Sequence, residues 1–81
     1  MNESINLLDT IIATISFPDE QVVTGDLGTV VEIYTTPSLA YEVEFVNPDG
    51  STRALLTLTS NQIRKLAATD VITTRQMAIA A

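Results

Sequence analysis

The sequence predicts an all-β fold, a small barrel of five short strands. Three observations carry that expectation. Gly25 and Gly28 bracket a turn that releases a β-branched run, Thr29-Val30-Val31-Glu32-Ile33. Residues 40–46 alternate, with Tyr41, Val43 and Phe45 on one face and Glu42 and Glu44 on the other, the pattern of a half-buried antiparallel strand. Asn47-Pro48-Asp49-Gly50 is a tight turn, because proline presets φ and glycine accepts the left-handed conformation. The apolar run that follows it completes a hairpin.

Taken in chain order, residues 1–6 are a polar lead-in. Over residues 5–15 two periods compete. Ile5, Leu8, Ile12 and Ile15 are spaced as a helical stripe, whereas Ile11, Ala13 and Ile15 alternate with Thr10, Ile12 and Thr14. Isoleucine and threonine are stiff at χ1 and suit a pleated surface, so strand one is predicted at residues 9–14. Phe17-Pro18-Asp19-Glu20 ends it, since proline removes a ladder donor, and residues 21–24 form a loop. Gly25 and Gly28 supply positive φ or a close approach to a neighbouring strand. Asp26 is placed to close the turn onto backbone N–H groups two residues on. Strand two is residues 27–34. Its consecutive Val30 and Val31 break alternation, which a bulge that reassigns faces would explain.

Strands three (residues 40–46) and four (52–58) allow two registers. A four-residue loop sets Val43 opposite Ala54, Tyr41 opposite Leu56 and Glu44 opposite Arg53, and matches core and charge better. A three-residue loop with a glycine bulge sets Phe45 opposite Arg53 and Val43 opposite Leu55, and matches the Pro-Asp-Gly turn chemistry better. Residues 59–62 read as a short helical turn capped by Thr59 or Ser60, before a last strand at 63–66. Residues 1–66 therefore form the barrel domain and 67–81 a C-terminal tail. Asp70 is placed to cap a tail helix from Val71 to Ile79, and the apolar Val71, Ile72, Met77 and Ile79 would pack on the barrel or on a second copy.

The chain has 81 residues, ten acidic and four basic, for a net charge of −6. One domain fits that length. The negative charge disfavours nucleic acid and anionic membranes and suits a basic protein partner. With neither cysteine nor histidine, the usual zinc, haem and iron–sulfur ligands are missing. Glu3 and Asp9 stand where a signal peptide would carry lysine or arginine, so the expected location is the cytoplasm.

No catalytic, cofactor-binding or metal-binding residues are expected. The serines have no histidine base, and a barrel of this size has little room for a cleft that would tune a carboxylate pair. Gly25-Asp26-Leu27-Gly28 lacks the Lys-Ser/Thr of a phosphate loop, so Gly25, Asp26 and Gly28, like Asp49 and Gly50, are structural turn residues. Glu32, Glu42 and Glu44 would share an outer sheet face if strands two and three pair. That face is the solvated side of a half-buried sheet and the candidate partner-binding surface. Arg53, Arg64 and Lys65 form a small anion-binding spot or pair locally with acids. Tyr34 and Tyr41 are too few for an aromatic groove that takes proline-rich peptides.

Several stretches together resemble a family of small, uncharacterised bacterial proteins with an SH3-like barrel. They are Leu7-Leu8-Asp9-Thr10, Gly25-Asp26-Leu27-Gly28-Thr29-Val30-Val31-Glu32 and Tyr41-Glu42-Val43-Glu44-Phe45, then Asp49-Gly50, Ala54-Leu55-Leu56-Thr57-Leu58 and Gln62-Ile63-Arg64. The Gly-Asp-x-Gly element is also similar, over a shorter stretch, to the KOW motif of ribosomal and transcription factors. This chain has Thr24 where a basic residue is common there. The first resemblance implies a five-stranded SH3-like barrel without assigned activity, and a protein partner of antitoxin-like or immunity-like character. The expected function is therefore a noncatalytic protein–protein interaction module. The alternatives are a KOW-like nucleic-acid or ribosome-associated module and an accessory subunit of an enzyme. The edge strands of an open barrel and the apolar tail further suggest a homodimer.

Overall fold

The strand preference of the isoleucine–threonine run prevails over its helical spacing. In the computed structural model, which describes residues 4–70, that run forms β1 (Thr10–Ala13). It is followed by β2 (Leu27–Tyr34), β3 (Ala40–Val46), β4 (Thr52–Leu58) and β5 (Ile63–Lys65). All neighbours are antiparallel, in one sheet ordered β4-β3-β2-β1-β5. Residues 59–62 close as a single hydrogen-bonded turn, with the Gln62 N–H donating to the Thr59 carbonyl at 3.0 Å. The 3₁₀ turn falls elsewhere, at Pro18–Glu20, in the connection from β1 to β2. The tail helix expected from Val71 to Ile79 lies outside the described residues.

One face of the sheet buries the core. Ile11, Val30, Val43 and Phe45 are sealed from solvent, joined by Ala13, Tyr41, Ala54, Leu58 and Ile63. Val22, from the β1–β2 connection, completes the core, held there by backbone bonds between Phe17 and Val22.

Two bulges interrupt the ladders. Val30 stands opposite Val43 and Glu32 opposite Glu42, so Val31 is the extra residue of β2. The broken alternation at Val30-Val31 is thus a bulge that turns Val31 outward. Val46 stands opposite Thr52 but Phe45 opposite Ala54, so Arg53 is the extra residue of β4.

Neither predicted register holds along the whole β3–β4 hairpin. At the turn the Asn47 N–H donates to the Ser51 carbonyl, which is the three-residue loop over Pro48-Asp49-Gly50, with Gly50 at φ 91°. Beyond Arg53 the pairing becomes Phe45 with Ala54, Val43 with Leu56 and Tyr41 with Leu58. That differs by two residues from the register favoured on core matching. A slip of two preserves faces, so Ala54, Leu56 and Leu58 do point inward while their partners change.

Candidate interaction face

The turn that enters β2 uses its two glycines differently. Gly25 adopts φ 97° with open space around its Cα. At Gly28 an added Cβ would lie 2.6 Å from Val43 Cγ1 and 3.0 Å from Phe45 Cε1, so absence of a side chain lets β2 approach β3. Asp26 closes the turn backward, not forward. Its Oδ2 accepts the Val23 N–H at 3.0 Å, and its own N–H donates to the Val23 carbonyl. Gly28, two residues on, is already paired with Ile11 in the sheet. The forward closure occurs at Asp49 instead, whose Oδ1 accepts both the N–H and the hydroxyl of Ser51. The Ser51 hydroxyl bond is the larger cause holding the Asp49 carboxyl below its ordinary range.

Asp26 has a second partner that sequence reasoning missed. Arg53 Nη2 lies 3.2 Å from its Oδ2, with the two side chains 9% and 7% exposed. The β4 bulge is what turns Arg53 inward, since regular alternation beside Ala54 would point it out. Nothing in the spacing of residues 27 positions apart signals this pair. The expected grouping of Arg53 with Arg64 and Lys65 does not form. Arg64 and Lys65 lie on β5, at the far end of the sheet from β4. Arg64 there grips Asp70 through two bonds of 2.9 and 3.0 Å, and Lys65 lies 3.5 Å from Asp9. The Arg64 guanidinium holds the Asp70 carboxyl down at about 2. Every cation among the described residues faces a carboxylate.

The outer face assembles as expected. Glu32 and Glu42 are direct cross-strand partners, and Glu44 follows two residues along β3 on the same side. Like charges so placed are mildly destabilising. Hydroxyl donors partly offset this. Glu42 Oε1 accepts from Thr57 at 2.7 Å and Tyr34 at 3.4 Å, and Glu44 Oε2 accepts from Thr52 at 2.5 Å. The Tyr34 phenol is pushed above its ordinary value, first by desolvation and then by the negative field of Glu42 and Glu32. Exposed apolar side chains flank the carboxylates. Leu55 stands opposite Glu44, and Val46 and Tyr34 are also exposed. Among the described residues no three potential metal ligands converge, and no helix is long and apolar enough to cross a membrane.

Residues 7–65 match the domain of unknown function DUF4926, well over half of the chain. The chain belongs to this family. The DUF4926 match begins at the Leu7-Leu8 turn before β1 and ends with β5, so it takes in the whole sheet. Neither the curated proteins nor the solved structures yield a match.

Proposed function

We propose that this DUF4926 chain is a noncatalytic protein-interaction module on an SH3-like barrel, which binds a basic surface of another protein through the outer face of β2, β3 and β4. The observation that carries this reading is the composition of that face. Among the described residues Glu32, Glu42 and Glu44 are gathered with no cation among them, and Tyr34, Val46 and Leu55 offer apolar contact beside them. Such a surface steers a positively charged partner and then has something to desolvate. The sheet order and antiparallel pairing support the SH3-like assignment. A role in which the module neutralises its partner, or serves as the accessory subunit of an enzyme in another chain, uses the same face. The nucleic-acid alternative has less support, because Arg53, Arg64 and Lys65 are each committed to a carboxylate.

The test is binding to the products of adjacent genes, measured by calorimetry. The expected result is a complex in the micromolar range that weakens with added salt and is lost in the triple variant Glu32→Gln, Glu42→Gln, Glu44→Gln. A complex indifferent to that triple change, or salt-sensitive RNA binding by the wild type, would overturn the reading.

A further inference from the structure

We infer that the free edge of β4 is a self-association edge, on which a second copy of this chain adds its own β4 antiparallel to the first. The two ends of the sheet are built differently. At one end β5 has three residues and carries Arg64 and Lys65, both engaged with carboxylates. Short length and charge are the usual protections of an edge. At the other end β4 has seven residues, Thr-Arg-Ala-Leu-Leu-Thr-Leu, with no proline and no acid. Its one ionic side chain, Arg53, is turned inward onto Asp26 by the bulge. Thr52, Leu55 and Thr57 remain exposed, Leu55 at 52%. Among the described residues β4 is paired with β3 alone.

The occupant that fits this edge is another β4. An antiparallel pair centred on Leu55 sets Leu55 beside the partner copy's Leu55 and Ala54 beside the partner copy's Leu56. The apolar face of the strand then continues across the two-fold axis. No exposed charge on the strand opposes self-pairing or selects a different chain. The nearest carboxylates, Glu42 and Glu44, lie one strand in. In the dimer they face their counterparts across three strand spacings, about 14 Å, which exceeds the screening length of about 8 Å at physiological salt. Two chains of charge −6 can therefore meet here without a large repulsion. The inference does not rest on the acidic face binding a partner.

Sedimentation equilibrium from about 10 μM to about 1 mM tests it, over the range where a weak dimer populates. The expected wild-type mass climbs from one chain toward two. Leu55→Lys stays at one chain throughout, and Leu7→Lys, equally exposed but away from β4, dimerises like wild type. Should Leu55→Lys fail to fold by circular dichroism, Thr57→Lys on the same edge takes its place. Raising salt from about 0.05 to about 0.5 M is expected to change the dimer constant by less than about threefold. A wild type that stays single overturns the inference, as does a dimer that Leu7→Lys disrupts and Leu55→Lys spares. A dimer strengthened tenfold or more by salt also overturns it, since the carboxylate faces would then be apposed. So does protection of β4 amides that appears only when a different protein is added.

Discussion

Each end of the sheet has an arginine on its edge strand, and the two arginines do opposite things. Arg64 on β5 points to solvent and binds Asp70 on the surface. Arg53 on β4 is folded into the interior and binds Asp26. The bulge makes the difference: one extra residue in β4 rotates Arg53 from the edge to the core side. The interior pair ties the entry turn of β2 to the β3–β4 hairpin, so β4 gains an anchor inside and loses its charge outside. The surface pair leaves β5 guarded and adds little to cohesion. Where a cation points thus decides both how firmly an edge is held and how open it is to another strand.

Removing one arginine at a time separates the two roles. Arg53→Ala breaks the buried ion pair with Asp26 and is expected to cost about 3–5 kcal/mol in urea unfolding at pH 7. That is a large share of what a domain of this length holds. The double variant Asp26→Asn, Arg53→Met removes both charges and is expected to cost clearly less than the sum of the single changes. A loss below about 1 kcal/mol for Arg53→Ala would put the pair in the class of surface bridges and erase the contrast.

Between the two ends lies Gly28, paired with Ile11 on one side and pressed against Val43 on the other. Gly28→Ala places a methyl 2.6 Å from Val43 Cγ1 and 3.2 Å from the Glu44 carbonyl oxygen. The Val43 side chain or the β3 backbone must give way, at an expected cost of about 1–3 kcal/mol by thermal or urea unfolding. Gly25→Ala meets no neighbour but must hold φ at 97°, at an expected cost of about 1–2 kcal/mol. If the two cost the same and Gly28→Ala leaves the chemical shifts of Val43 unmoved, β2 and β3 do not depend on close approach there.

These residues also mark what could be read in advance. The bounds of β2, β3 and β4 match the predicted strands to the residue, because period-two patterning and glycine–proline punctuation are local signals. The acidic face was legible for the same reason, since Glu42 and Glu44 alternate with buried residues. The hairpin register was not. It turns on a bulge at Arg53, which buries the guanidinium beside a carboxylate remote in sequence. The burial of Val22 within a loop is likewise a consequence of packing that no spacing reveals. What was illegible is what tertiary partners decide.

The surface pair on β5 tolerates removal better than the interior pair on β4. Arg64→Gln frees Asp70 without burying a charge, so stability at pH 7 is expected to change little in urea unfolding. Whatever it does cost is present in full at pH 7 and vanishes in acid, where Asp70 is protonated folded and unfolded alike. With its folded value held at about 2, chiefly by Arg64, Asp70 binds its proton less readily folded than unfolded. Its contribution is therefore fully present above the ordinary carboxylate range, about pH 4, and is lost as pH falls toward 2. Carboxyl chemical shifts followed by NMR are expected to give Asp70 a midpoint near 2 in the wild type and one moved up toward 4 in Arg64→Gln. The fall in stability that Asp70 contributes between about pH 4 and 2 should flatten with it. The Ala67 N–H also donates to Asp70, at 2.6 Å, so part of the depression survives the loss of the arginine. A midpoint that does not move would assign the whole effect to that backbone bond, and β5 would then be guarded by its short length and Lys65 alone.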